Sequence, residues 1–291
     1  MFKTIFLIGS ETLMDLLILS LFLKESPPGE LMVGVQRGRA TSQKKLTKIW
    51  KILKSNGWYF VGFNIFLNIG LMKNLLFGKA GNCSRLKDLA DKYQFETFYF
   101  EGINEESTLA IIKDFDPDLI LNHMPQRIRD PIIHLPRRGV VNIHPGLLPM
   151  YQGMGSCLWP LIDGASHHGA TLHLIDSEEI DVGPIIYSGR FPIKASDSVL
   201  ALHIKSRIIA ALLACRLTKE LSQDGNLNFK IQRDGNYHKL PGRLDLQKML
   251  DKGHSYFCVK DRGILIENDI SEFQYCDSDT RWEWRSFNKL I

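Results

Sequence analysis

The feature that most constrains this 291-residue chain is a rhythm: short β-branched or aromatic runs alternate with helical patterns through its first two thirds. Candidate strands lie at Lys3–Ile8, Leu31–Gln36, Thr97–Phe100, Asp118–Asn122 and Val140–Ile143, and candidate helices at Thr12–Leu23, Ser84–Tyr93 and Glu105–Phe115. That order is the sequence form of a parallel sheet covered by helices, because each strand must be carried back over the sheet by a crossover. Asn104, followed by glutamates, supplies an N-terminal cap, and Pro27-Pro28-Gly29 stops the first helix. The expected fold class is α/β, with a Rossmann-like, mostly parallel sheet flanked by helices.

The length suggests about two folding units. After Pro192 the character changes. A long helical pattern over Ser198–Gln223 is followed by Phe229–Gln232, by Leu244–Lys252, and by SYFCVKDRGILIEN, which reads as a hairpin turning at Asp261-Arg262-Gly263. The reading is therefore a catalytic unit over residues 1–195 and a C-terminal helix and β-hairpin region over 196–291. The final stretch, CDSDTRWEWRSFNKLI, reads as a surface strap without an assigned role.

Five scattered cysteines with no CxxC spacing argue for a reduced, cytoplasmic setting and against a thiolate metal site. Glu11 and Asp15 interrupt the apolar N-terminus, so it reads as strand, turn and helix rather than as a signal peptide. Charge is unevenly spread. No acidic residue lies between Glu30 and Asp88, a stretch holding eleven lysines and arginines, while the rest carries 25 basic against 32 acidic residues. Within it, Trp58–Phe77 is apolar on nearly every face, interrupted by Asn64, Asn68, Lys73 and Asn74. Three readings stand: a buried or dimer-interface helix, peripheral membrane contact through residues 44–79, or a membrane span.

The chemistry is carried by GVVNIHPGLLPMYQG and by GATLHLIDSEEIDVGPIIYSGRF. If Val140–Ile143 is a central strand, Asn142 and His144, two apart, face the same way at its carboxyl end, where open parallel sheets bind ligands. Asn142 offers a neutral donor to a developing oxyanion, and His144 can exchange a proton near neutrality. Asp181 can orient the imidazole. Together they suit attack by an amine on a carbonyl carbon, without specifying the acyl group. His173 reads as a strand histidine or as a cleft residue, and His167-His168 as a surface turn rather than a metal pair. Gly9-Ser10 lacks the GxGxxG spacing of a dinucleotide site.

The pairing of NxHPxLLP (Asn142 to Pro149) with DxGxI (Asp181 to Ile185) resembles the formyltetrahydrofolate-dependent formyltransferases, and among them most nearly the sugar N-formyltransferases. The resemblance covers residues 95–195 well. It implies Asn142, His144 and Asp181 as the catalytic triad and 10-formyltetrahydrofolate as the formyl donor. It also implies folate contacts at Gln126, Arg127 and Ile128 and at Glu178, Glu179 and Ile180, with no metal. Many members carry Y-R-G-x-x-P after the LLP; this chain has Tyr151-Gln152-Gly153-Met154-Gly155, without the arginine and the proline.

By the same resemblance the acceptor is a nucleotide-linked amino sugar destined for surface polysaccharide such as lipopolysaccharide. The tail after Pro192 offers too little strand for the RNA-binding barrel of methionyl-tRNA formyltransferases, and no nucleic acid partner is expected. Formyl transfer to methionyl-tRNA or to another amine is the alternative. A different class of reading is a basic membrane- or RNA-binding module with a vestigial folate site. A homodimer is expected, to cover the apolar segment.

Overall fold

The computed structural model describes residues 1–25, 27–37, 42–68, 85–225, 227–261, 263–264 and 273–275. Its elements follow the predicted alternation: β1 (Lys3–Ile8), α1 (Leu13–Lys24), β2 (Glu30–Gln36), α2 (Ser42–Asn56), α3 (Trp58–Asn68), α4 (Leu86–Tyr93), β3 (Glu96–Phe100), α5 (Glu106–Phe115), β4 (Leu119–His123) and β5 (Val140–His144). Then come β6 (Gln152–Gly153), α6 (Trp159–Asp163), β7 (His167–Leu174), β8 (Ile185–Pro192), α7 (Val199–Ser222), β9 (Tyr237–His238), α8 (Arg243–Asp251) and β10 (Gln274–Tyr275).

Eight strands form the main sheet in the order β10-β8-β7-β5-β4-β1-β2-β3, and β6 pairs with β9 apart from it. The run β3-β2-β1-β4-β5 is parallel, and β7, β8 and β10 extend it antiparallel. The chain therefore has a mostly parallel α/β fold of the Rossmann-like kind. Strand order reverses between β1 and β4, and the open end of the sheet beside that reversal is where a cleft forms.

Side chains alternate between the two faces of the sheet, as the period of two requires. Phe6, Ile8, Val33, Val35, Leu119, Leu121, Val141 and Ile143 join one core with α1, α4 and α7. Ile5, Leu7, Met32, Ile120 and Val140 join the other with α5. Helix α1 is buried almost all round because α7 covers the side that the sheet does not. Thr12 caps it by accepting from the Asp15 amide. Helix α7, capped by Ser198, lies along β7 and β8, and each leucine it buries fully contributes roughly 2 kcal/mol.

The C-terminal region differs from its expectation. The hairpin at Asp261-Arg262-Gly263 is absent from the described residues: the Asp261 and Gly263 amides donate to Cys258 and Lys260 carbonyls, giving helical turns. The cause is Asp261, whose carboxylate accepts from the Cys258 amide at 2.5 Å and from Ser198 Oγ at 2.7 Å, tying the turn to the start of α7. The Trp58–Phe77 segment is described only to Asn68, and there it is α3, separated from α2 by Gly57 at φ +85°. Phe60 and Phe63 are buried, whereas Trp58, Tyr59 and Ile65 are exposed, so the helix is covered on one side only. No described helix is long and apolar enough to cross a membrane. Residues 69–77, Cys83 and the strap from Cys276 lie outside the described residues.

Candidate active site

Asn142 stands in β5 between two polar neighbours set by register. In β4 the paired residue is Asn122, whose Nδ2 donates to Asn142 Oδ1 at 2.7 Å. In β7 it is His173, whose Nε2 lies 3.0 Å from Asn142 Nδ2. His173 Nδ1 donates to the Leu174 carbonyl at 2.9 Å, and its Nε2 also lies 3.4 Å from Asp181 Oδ1. Asn142 is thus held with its oxygen toward Asn122 and its NH₂ toward His173 and Asp181, 3.2 Å from the carboxylate.

His144 ends the same strand. Its Nε2 donates to the Tyr151 carbonyl at 2.7 Å, and its Nδ1 lies 3.4 Å from Asp181 Oδ2. The loop after it is fixed by Thr171, whose hydroxyl donates to the Gly146 carbonyl at 2.8 Å and accepts from the Leu148 amide at 3.1 Å. A side chain at Gly146 would put Cβ 2.8 Å from His144 Nε2, so glycine lets the loop close on the imidazole.

Asp181 completes the group from the loop between β7 and β8. Its backbone is left-handed, at φ +57°, a conformation that Asp adopts more readily than most residues. Oδ2 accepts from the Gly153 amide at 2.8 Å, and the Asp181 carbonyl accepts from Gln152 Nε2 at 3.1 Å and Gln232 Nε2 at 3.0 Å. Gly183 explains the DxG spacing: a Cβ there would lie 1.8 Å from the Leu174 carbonyl oxygen, so only glycine brings Asp181 this close to β7.

Burial pushes the Asp181 carboxyl upward, but His144, His173 and the Gly153 amide outweigh it and hold it down to about 2. Burial pulls the His144 imidazole below its ordinary value against the attraction of Asp181. The result is a buried carboxylate, held in its ionised form, in contact with an imidazole and a primary amide.

These three residues line one cleft of about 520 Å³. Gln126, Arg127 and Ile128 line it after β4, and Glu178, Glu179 and Ile180 line it before Asp181. Gln126 Oε1 accepts from the Ile103 amide at 2.9 Å, and the Arg127 carbonyl accepts from Asn104 Nδ2 at 2.8 Å, so the first rim is pinned to the start of α5. Arg129 and Glu178 join the rims at 3.3 Å, both largely exposed and so of little energetic weight.

Sequence reasoning missed the residues that brace this group: Asn122, Gln152 and Gln232. His173 carried a signal, alternating with Leu172 and Leu174, but its partner depends on strand register. Gln152, in the place where the resemblance expects arginine, supports the Asp181 backbone. At the inner end of the cleft stand Asp15, raised to about 6 by burial despite its bond from Thr12, and His123, lowered to about 3 by burial and Arg207. His167-His168 is not a surface turn. The pair opens β7, and His168, at 0% exposure, packs edge-on against Phe191, its centroid 5.6 Å away. Among the described residues no group of three His, Cys, Asp or Glu is placed to hold a metal.

Residues 82–210, which include all nine expected site residues, match the family described as formyl transferase. This segment is similar to the formyl transferases. Among curated relatives, GDP-perosamine N-formyltransferase of Brucella melitensis is 31% identical over 142 residues, 48% of this chain and 54% of that protein. Methionyl-tRNA formyltransferase of Halalkalibacterium halodurans is 35% identical over 127 residues, 43% of this chain and 40% of that one. The chain spans about half the length of the curated relatives it matches. An N-formyltransferase from Helicobacter canadensis, solved with folinic acid and dTDP-3-aminofucose, superposes over 87% of this chain and 80% of its own with a TM-score of 0.54 at 14% identity. The two chains share a fold.

Proposed function

We propose that the protein moves a formyl group from 10-formyltetrahydrofolate to the amino group of a nucleotide-linked amino sugar. The observation that carries this reading is the convergence of Asn142, His144 and Asp181 in one cleft. The cleft suits a folate: its volume is of the order that small-molecule sites offer, and its rims present loop residues on both sides of the three side chains. Gln126 to Ile128 and Glu178 to Ile180 would hold the pterin end. When bound, 10-formyltetrahydrofolate supplies the formyl carbonyl and the nitrogen that leaves.

The acceptor amine forms a bond to the formyl carbon while the bond from that carbon to the folate nitrogen breaks, and the proton lost by the amine ends on that nitrogen. Asn142 Nδ2 and His144 offer donors to the charge that develops on the formyl oxygen. Both imidazole nitrogens already have protein neighbours, so a formyl group must displace one of them as it enters. Asp181, ionised and next to His144 Nδ1, stabilises the imidazole when it holds the proton in transit.

The acceptor class is supported by the GDP-perosamine relative and by the dTDP-3-aminofucose with which the Helicobacter neighbour was solved. The methionyl-tRNA relative favours a second acceptor, charged initiator tRNA. Tetrahydrofolate release, followed with UDP-, dTDP- and GDP-linked amino sugars and with methionyl-tRNA in parallel, tests the proposal. Release that depends on an amino-sugar nucleotide is expected; release driven only by charged tRNA assigns the second acceptor, and none with any amine removes the reading.

A further inference from the structure

Helices α2 and α3, which carry the chain away from β2, present a surface that lies outside the cleft of Asn142. On α2, Trp50 is 70% exposed, with Lys51 and Lys54 exposed beside it, Lys54 one helical turn on. On α3, Trp58 and Tyr59 are 64% and 59% exposed, and Ile65 lies along the same side two turns further. The Trp58 and Tyr59 rings stack with centroids 3.7 Å apart. The surface is held in place from behind. Phe63 packs on Tyr256 at 5.4 Å between centroids, and Asn56 Nδ2 donates to the Pro241 carbonyl at 2.5 Å.

The charge on these two helices is of one sign. Helix α2 carries five lysines and no acidic residue, and α3 carries no charged residue at all. We propose that this face docks the protein on anionic lipid bilayers, with the exposed aromatic residues of α3 in the headgroup layer and Lys51 and Lys54 of α2 on the lipid phosphates and carboxylates. Trp and Tyr suit that layer because each ring offers an apolar body and a polar N–H or O–H, and lysines beside them gain from the negative surface potential.

Two other occupants fit less well. RNA stacks on aromatic rings where cations track its backbone along the same groove, and α3 offers none. A two-fold contact between copies would bring the α2 lysines toward one another with no acidic residue on either helix to offset them. The docking face and the reacting centre use different residues, so binding is measured without turnover.

The test is co-sedimentation of the full chain with vesicles of phosphatidylcholine alone or mixed with phosphatidylserine, at low and high salt. Binding to the anionic vesicles, weakened by salt, is expected. Lys51→Gln with Lys54→Gln lowers partitioning roughly 25-fold, about fivefold for each lysine. Trp50→Ser, Trp58→Ser and Tyr59→Ser together lower it at least tenfold, with far-UV circular dichroism and Tm showing the fold intact. Equal binding to both vesicle types, or aromatic substitutions without effect, overturns the proposal. A lipid-free dimer or an RNA complex that the triple variant abolishes also overturns it, in favour of that occupant.

Discussion

Replacing Asp181 with Asn keeps the outline of the side chain and removes its charge. Asn rather than Ala is the informative choice, because residue 181 sits at φ +57°, which Asn tolerates and Ala resists. The carboxyl is 8% exposed and held at about 2 against an ordinary value of 3.8. A folded-state pKa below the unfolded one stabilises the fold above the unfolded value, and that contribution disappears as pH falls through 3.8 toward 2. Its size is at most about 2 kcal/mol, at roughly 1.4 kcal/mol per unit, because His144, the neighbour that lowers the carboxyl most, is itself pulled toward its neutral form by burial. Urea unfolding of the two proteins across pH should therefore show wild type ahead by up to about 2 kcal/mol at neutrality, with the gap closing toward pH 2. Turnover should fall about 10³- to 10⁴-fold, because an amide cannot stabilise an imidazolium. Unfolding curves with the same pH dependence in both proteins, or a variant within about tenfold of wild-type turnover, refute the reasoning.

Asn142→Ala and His144→Ala should each lower turnover about 100- to 1000-fold with unchanged circular dichroism, since each removes one donor from the reacting centre. Gly183→Ala should destabilise by about 1–3 kcal/mol in urea titrations, because the added carbon meets the Leu174 carbonyl oxygen at 1.8 Å. Asp15, raised to about 6 by burial, favours the folded state below its unfolded pKa and loses that contribution as pH rises through 6. Asp15→Asn should accordingly gain Tm relative to wild type between pH 4 and pH 8, and a parallel pair of Tm-versus-pH curves contradicts that sign.

The elements that repeat a simple period were legible. Strand β1 falls on the predicted residues, and α5 and β5 differ from their predictions by one residue at an end, because alternation or a 3.6-residue spacing is a property of one segment. Asn142 and His144 were expected on one side of a strand end, and they are, since two residues apart suffices to say so. What could not be read is what depends on pairing between segments. Asn122 and His173 flank Asn142 only because of the registers of β4 and β7 with β5, and Gln232 reaches Asp181 from 51 positions away. The Asp261 turn was misread for the same reason. Asp-Arg-Gly suggests a hairpin locally, but Ser198, 63 positions earlier, takes the Asp261 carboxylate. His168 was expected in a surface turn, for want of further metal ligands at suitable spacing, but β7 is buried on both faces from His168 to His173 and takes it into the interior.

The most direct measurement is a crystal structure of the protein with a formyl folate analogue that cannot transfer its group. The formyl oxygen should lie within about 3 Å of Asn142 Nδ2 and of a His144 nitrogen, with the pterin between the rims at Gln126–Ile128 and Glu178–Ile180. A formyl group turned away from both side chains, or an analogue bound outside the cleft, contradicts the proposed chemistry.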